Sequence, residues 1–204
     1  EQGRVDDRLG VVGPFGVDRL AHGAQPFQDA AGARDLGGGV DPVVVASVVK
    51  GVRVIVLAGD GKHFSAGADL QWMQRAAAAT VEWNLHDARR FAGMLHRIAN
   101  APKPVLARIQ GATMGGGVGL ACACDIAIAA DNASFAVSEA KFGILPAVIG
   151  PYVTNAVGKR QAQRLALTTT RIAAPEALSM GLVQQVVSLD ALDATVDDTV
   201  KELL

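Results

Sequence analysis

Two segments of this chain set small residues just ahead of apolar, helix-compatible runs: His63-Phe64-Ser65-Ala66-Gly67-Ala68-Asp69-Leu70 and Ile109-Gln110-Gly111-Ala112-Thr113-Met114-Gly115-Gly116-Gly117-Val118-Gly119-Leu120. Glycine admits positive φ and lets a ligand approach the main chain. The first turn of a helix leaves N–H donors unpaired and carries the positive end of the helix dipole. Each segment could therefore aim bare backbone N–H groups at an anionic oxygen, and two such donors converging on one oxygen make an oxyanion hole. A Gly-Gly-Gly turn by itself is usually no more than a tight connection. The pair, in this order, says more than either alone.

Other chemistries find less support. The four histidines, His22, His63, His86 and His96, are scattered, and His86 and His96 stand ten apart rather than at the i, i+4 spacing of a metal-binding helix. They read as structural or surface residues, and no metal is expected. Cys122 and Cys124 lie inside an apolar run, which offers neither a disulfide framework nor a four-ligand zinc site, so both are expected as buried, reduced thiols. Gly115-Gly116-Gly117-Val118-Gly119 lacks the acidic residue that a dinucleotide fingerprint requires farther on, and no phosphate-binding P-loop pattern occurs. Trp72-Met73 reads as a hydrophobic wall, and Tyr152 as a core tyrosine that could also face a pocket.

The elements that must carry the two turns follow from the hydrophobic pattern. Arg53 to Ala58 is an apolar, β-branched run closed by Gly59-Asp60-Gly61, the mark of a buried strand ending in a turn. Leu70–Ala79 and Glu82–Ala99 read as helices, the second with Leu85, Ala88, Ala92, Leu95 and Ala99 on its apolar stripe and a stop at Asn100-Ala101-Pro102. Val105–Ile109 is a strand, Gly116–Cys124 a helix and Asp125–Ala129 another strand. This rhythm predicts an α/β layer fold. An apolar helix is expected after Ser138-Glu139, a short helix over Pro175–Met180 stopped by Gly181, and a last strand over Val183–Val187. Residues 1–50 are left unassigned apart from a Val-rich element over Pro42–Lys50.

With 204 residues, half of them hydrophobic, the chain can bury one substantial core. A net charge of −1 lacks the clustered basic surface that phosphate contacts need, so nucleic acid is not an expected partner. The longest apolar stretch, Ala112–Ala130, is broken by its glycines and by Asp125, so no membrane span is expected. The charged first residues lack the apolar core of a signal peptide, which suggests a cytoplasmic protein.

From about Arg53 to Val187 the chain resembles the crotonase (enoyl-CoA hydratase/isomerase) superfamily. That family carries one hole donor in an Ala-Gly-Ala-Asp-Leu segment and the other in a Gly-Gly-Gly helix start. His63–Met73, Asn84–Met94 and Ser138–Val153 are more specifically similar to bacterial methylglutaconyl-CoA and carboxygeranoyl-CoA hydratase-like proteins. The resemblance implies a crotonase-like ββα spiral with an altered or incomplete N-terminal sheet over 1–50. An acyl-CoA-binding core would occupy 51–190, and a C-terminal helical region would begin at 191–204. It also implies an acyl-CoA substrate with no further cofactor and assembly as a homotrimer or hexamer.

By the same resemblance, Ala68 and Gly116 supply the oxyanion donors, while Ala66, Asp69, Leu70, Gln71 and Gly117 line the groove for coenzyme A. Asp69 also suits a helix N-cap. Hydratases of the family place two glutamates around the substrate double bond. Here the first position is Gly119 and the second is Glu139. A carboxyl flanked by Phe135, Val137 and Phe142 is expected to be desolvated, which raises its pKa toward the range useful for general acid/base work. Three readings remain: a hydratase working with one glutamate, an isomerase moving one proton, and an acyl-CoA-binding pseudoenzyme with little turnover.

Overall fold

The computed structural model describes residues 52–59, 61–68 and 70–204, with the backbone alone for Leu70 and Gln71. The expected element at Pro42–Lys50, the reading of residues 1–50, His22, Asp60 in its turn, and Asp69 all lie outside the described residues.

Four apolar strands form a parallel sheet: β1 (Ile55–Ala58), β2 (Val105–Ile109), β4 (Ile126–Ala130) and β7 (Gln185–Val187), in the order β1-β2-β4-β7. Ile55 pairs with Val105, Leu106 with Ile126 and Ile128 with Gln185. β1, β2 and β4 are almost continuously buried because the sheet is covered on both faces, which is why they read as unbroken apolar runs. The two faces still divide by strand alternation. Ile55, Leu57, Val105, Ala107, Ile109, Ala127 and Ala129 enter the larger core, whereas Val54, Val56, Leu106, Ile128 and Ala130 join Leu192, Val196 and Val200 in a second one.

The larger core is closed by α2 (Val81–Ala99), α3 (Gly116–Ala123), α4 (Gly150–Thr168) and α5 (Ala174–Ser179), and the second by α6 (Leu192–Leu203). α1 (Leu70–Ala78) precedes α2, whose start is capped by Thr80: its hydroxyl accepts from the Trp83 N–H at 3.2 Å. A smaller sheet combines β3 (Ala112–Met114) with β5 (Ser134–Ala136) in parallel, and β5 with β6 (Ile172–Ala173) antiparallel. The observed sheets and helices match the expected α/β class.

Three expectations change. The buried side of α2 is Leu95 and Ile98, with Phe91 and Met94 packed beside them, while Leu85, Ala88 and Ala99 are exposed. The buried face lies one step around the helix from the sequence stripe, because that stripe rests on alanines, which lose little by exposure. After Ser138 there is no apolar helix but a four-residue 3-10 turn, Glu139–Phe142, ended by Gly143 at φ 71°, and α4 begins only at Gly150. Phe142 is exposed rather than packed over Glu139, and Ile144 and Leu145 are exposed with it.

Candidate active site

The first glycine-rich segment leaves β1 and folds back against the second. Phe64 and Ser65 are buried, and Ser65 forms a parallel bridge with Thr113 of β3. The Phe64 N–H donates to the Gln110 carbonyl at 2.8 Å, Ser65 N–H to the Ala112 carbonyl at 3.1 Å, and Met114 N–H to the Ser65 carbonyl at 2.9 Å. His63 serves this junction rather than chemistry, since its Nδ1 accepts from the Ala112 N–H at 3.0 Å. Gly111, at φ 60°, is required here: a Cβ would stand 2.1 Å from the Lys62 carbonyl oxygen. Two loops separated by some 50 positions in sequence thus run backbone against backbone.

This junction carries both expected donors. Gly67, at φ 111°, turns the chain beside Met114, and Ala66 and Ala68 are exposed on either side of it. Across from them Gly115, at φ 52°, opens α3. The Gly115 N–H is taken by the Ala136 carbonyl, and the Val118 and Gly119 N–H groups return to the Gly115 carbonyl. Gly116 and Gly117 supply first-turn amides that a helix cannot pair internally. Gly116 is half-buried beneath the Phe91 ring of α2, which lies 3.1 Å from where a Cβ would be. Gly117 is buried, and its missing Cβ would stand 2.7 Å from the Ser65 Cβ, so its smallness brings the two loops together. Leu70 and Gln71 open α1 immediately after the first loop.

Glu139 arrives from β5. Its carboxyl lies over Gly115, with Oε1 3.3 Å from the position of a Cβ there, and Ser138 Oγ sits beside it at 3.2 Å. Glu139 Oε2 is buried without a hydrogen-bond partner. Burial pushes the carboxyl above the ordinary glutamate range, and the backbone N–H groups of Glu139 and Ser138 offset part of that rise. The desolvation expected from sequence is present, although the exposed Phe142 contributes little to it.

Gly119 faces the opposite situation. A Cβ there would be 2.3 Å from Ile149 Cγ2 and 2.8 Å from Ile149 Cβ, with Leu95 Cδ1 at 3.4 Å. Ile149, itself buried, occupies the room a side chain at 119 would need. Nothing local in the sequence announces this, because Ile149 lies thirty residues away. Tyr152 is partly buried against the larger core. Trp72 and Met73 are half-buried. Cys122 and Cys124 are free, half-buried thiols, and burial pushes Cys122 up to about 12 and Cys124 higher still. Among the described residues no three His, Cys, Asp or Glu side chains gather as a metal site would require, and no helix is long and apolar enough to cross a membrane.

Known proteins place the chain in a family. The enoyl-CoA hydratase/isomerase family profile matches residues 46–204. A Rhizobium meliloti protein described as a probable enoyl-CoA hydratase is 42% identical over 144 residues, covering 70% of this chain and 54% of that protein. 4-Chlorobenzoyl coenzyme A dehalogenase-1 from Arthrobacter sp is 34% identical over 154 residues, 74% of this chain and 56% of that one. Among solved structures, an enoyl-CoA hydratase from Shewanella pealeana superimposes with a TM-score of 0.76 at 41% identity, covering 79% of this chain and 60% of the other. The chain spans about half the length of these curated relatives. With this profile matched over most of its length, the chain belongs to the enoyl-CoA hydratase/isomerase family.

Proposed function

We propose that this protein adds water across the double bond of a 2-enoyl-CoA thioester, using a backbone oxyanion hole and one glutamate. The observation that carries this reading is the Glu139 carboxyl, with a buried, unpaired Oε2, standing over Gly115 beside the first-turn amides of α3. A thioester oxygen between the Ala68 and Gly116 N–H groups would gather enolate charge as water attacks. Each preorganised donor is worth on the order of 3 kcal/mol in such a transition state. Glu139 then takes a proton from water and delivers one to the α-carbon, work suited to a carboxyl whose pKa is already raised. By the family resemblance, coenzyme A would be bound by Ala66, Asp69, Leu70, Gln71 and Gly117.

The sealed wall at Gly119 bears on the substrate. With Ile149 in place of a second carboxyl, the water needs another polar partner, and a carboxylate on the acyl group itself would supply one. This favours branched, dicarboxylic thioesters such as 3-methylglutaconyl-CoA, and a place in branched-chain acyl-CoA breakdown in the cytoplasm. The same wall favours, as a second reading, an isomerase that moves one proton with one carboxyl, or an acyl-CoA-binding protein with little turnover. Assembly into trimers or hexamers belongs to the same proposal.

The test is the loss of conjugated enoyl-thioester absorbance with 3-methylglutaconyl-CoA beside crotonyl-CoA. Faster loss with the dicarboxylic thioester supports the reading. Binding of both without turnover of either would replace it with the pseudoenzyme, and movement of the double bond without hydration would replace it with the isomerase.

A further inference from the structure

Gln110 is a polar residue that the proposed chemistry does not use, yet it is 5% exposed at the junction of the two loops. It follows β2 directly and continues the alternation of Leu106 and Arg108. Its side-chain amide is fully engaged. Nε2 has two N–H groups, and they donate to the carbonyls of Gly59 and Gly61, each at 2.9 Å. Oε1 accepts from an Arg108 guanidinium N–H at 2.9 Å, and since arginine can only donate, this bond fixes which end of the amide faces the turn. Arg108 is held in turn by Asp193 of α6 through its Nε. The Gln110 main-chain carbonyl meanwhile accepts from Phe64. One residue therefore grips the 59–64 loop at three points, by side chain before it and by backbone after it.

We propose that Gln110 is a positioning residue of the oxyanion hole, setting the separation between the Ala68 and Gly116 N–H groups. It rests on the reading of those two amides as the donors. The Gly59–Gly61 turn is the entry to the first donor, and Gly111–Gly115 is the entry to the second. Gln110 is the side chain that bonds the former while its own backbone begins the latter. Without the Gln110 amide the buried Gly59 carbonyl would lose its donor and shift to find another, while the exposed Gly61 carbonyl would turn to water, and the loop would move with them. A displacement of about 1 Å at a catalytic group can cost on the order of a hundredfold in rate. Substrate binding, spread along the groove, would be far less sensitive.

The experiment compares wild type with Gln110→Met, which keeps the side-chain length and removes all three bonds. The readout is the 13C resonance of butyryl-CoA labelled at the thioester carbonyl, together with kcat and KM. A working hole polarises the carbonyl and moves its signal downfield on binding. The expected result is that Gln110→Met loses most of that displacement and about 10- to 100-fold in kcat, with KM within about threefold. Arg108→Met leaves both amide N–H bonds available but frees Oε1, so a smaller loss of the same kind is expected, and it serves if Gln110→Met does not fold. Variants that retain the wild-type carbonyl signal and kcat, and lose only thermal stability, would overturn the proposal. Absence of any downfield displacement in the wild type would instead overturn the hole reading beneath it.

Discussion

The surroundings of Gly115 and of Gly119, at the two ends of the first turn of α3, are built on opposite plans. At Glu139 a carboxyl is brought into a buried place and left with one oxygen unpaired, an arrangement that costs stability and raises its pKa. At Gly119, one turn farther along the same helix, the room for a side chain is filled by Ile149 and bounded by Leu95. One wall keeps a polar group unpaired at the expense of packing, and the other packs fully and holds no polar group. The contrast teaches that the missing second carboxyl is not a vacancy waiting for a side chain. Ile149 fills that space, and under the proposed function the protons would pass through Glu139 and a polar group of the substrate.

The largest effect expected from breaking this contrast is at the acidic wall. Glu139→Gln keeps the shape and the backbone contacts but removes the titrating group, and should lower turnover by about a thousandfold with acyl-CoA binding retained. Steady-state kinetics beside a binding isotherm measure this directly. Next comes the sealed wall. Gly119→Glu should not add activity; it should destabilise the protein by about 1–3 kcal/mol through the clash with Ile149, read as a lower denaturation midpoint. Pairing it with Ile149→Gly should recover part of that midpoint, because the obstructing atoms are gone.

A smaller effect separates function from stability. The Glu139 carboxyl has a raised pKa in the folded protein, so the folded state binds its proton more tightly than the unfolded chain does. Its contribution is fully present below the unfolded value and is lost as pH rises through the folded one. Glu139→Gln should therefore show a higher thermal midpoint than wild type at neutral pH, and this advantage should shrink as pH falls toward the ordinary glutamate value. The smallest effect concerns Cys122 and Cys124 at the far end of α3. With the Cys122 thiol pushed up to about 12, disulfide-exchange reagents at pH 8 should label neither cysteine in the folded protein and both after denaturation.

Much of this architecture was legible in the chain because its signals are local. β1, β2 and β4 announce themselves as apolar runs, α3 by its glycines and α2 by its prolines beyond Asn100. β3, β5 and β6 went unread because segments of two or three residues carry no periodicity and exist through their partners. The site divides in the same way. The two glycine-rich turns stand out by residue type and order, Glu139 through the family resemblance, and the structure runs the two turns backbone against backbone. Ile149 and Gln110 were not found. Ile149 acts across thirty residues of chain, and Gln110 acts on carbonyls some fifty positions earlier. The available hint was a lone amide side chain at the end of an apolar strand, next to a glycine turn.

The central claim is that one carboxyl, standing over a backbone hole, moves the protons of hydration. The most direct measurement is mass spectrometry of the product formed from a 2-enoyl-CoA in 18O-labelled water, with wild type and Glu139→Gln side by side. The wild-type product should gain one heavy oxygen, and the Glu139→Gln protein, though it binds the thioester, should form almost none. Heavy oxygen incorporated by Glu139→Gln at the wild-type rate would contradict it.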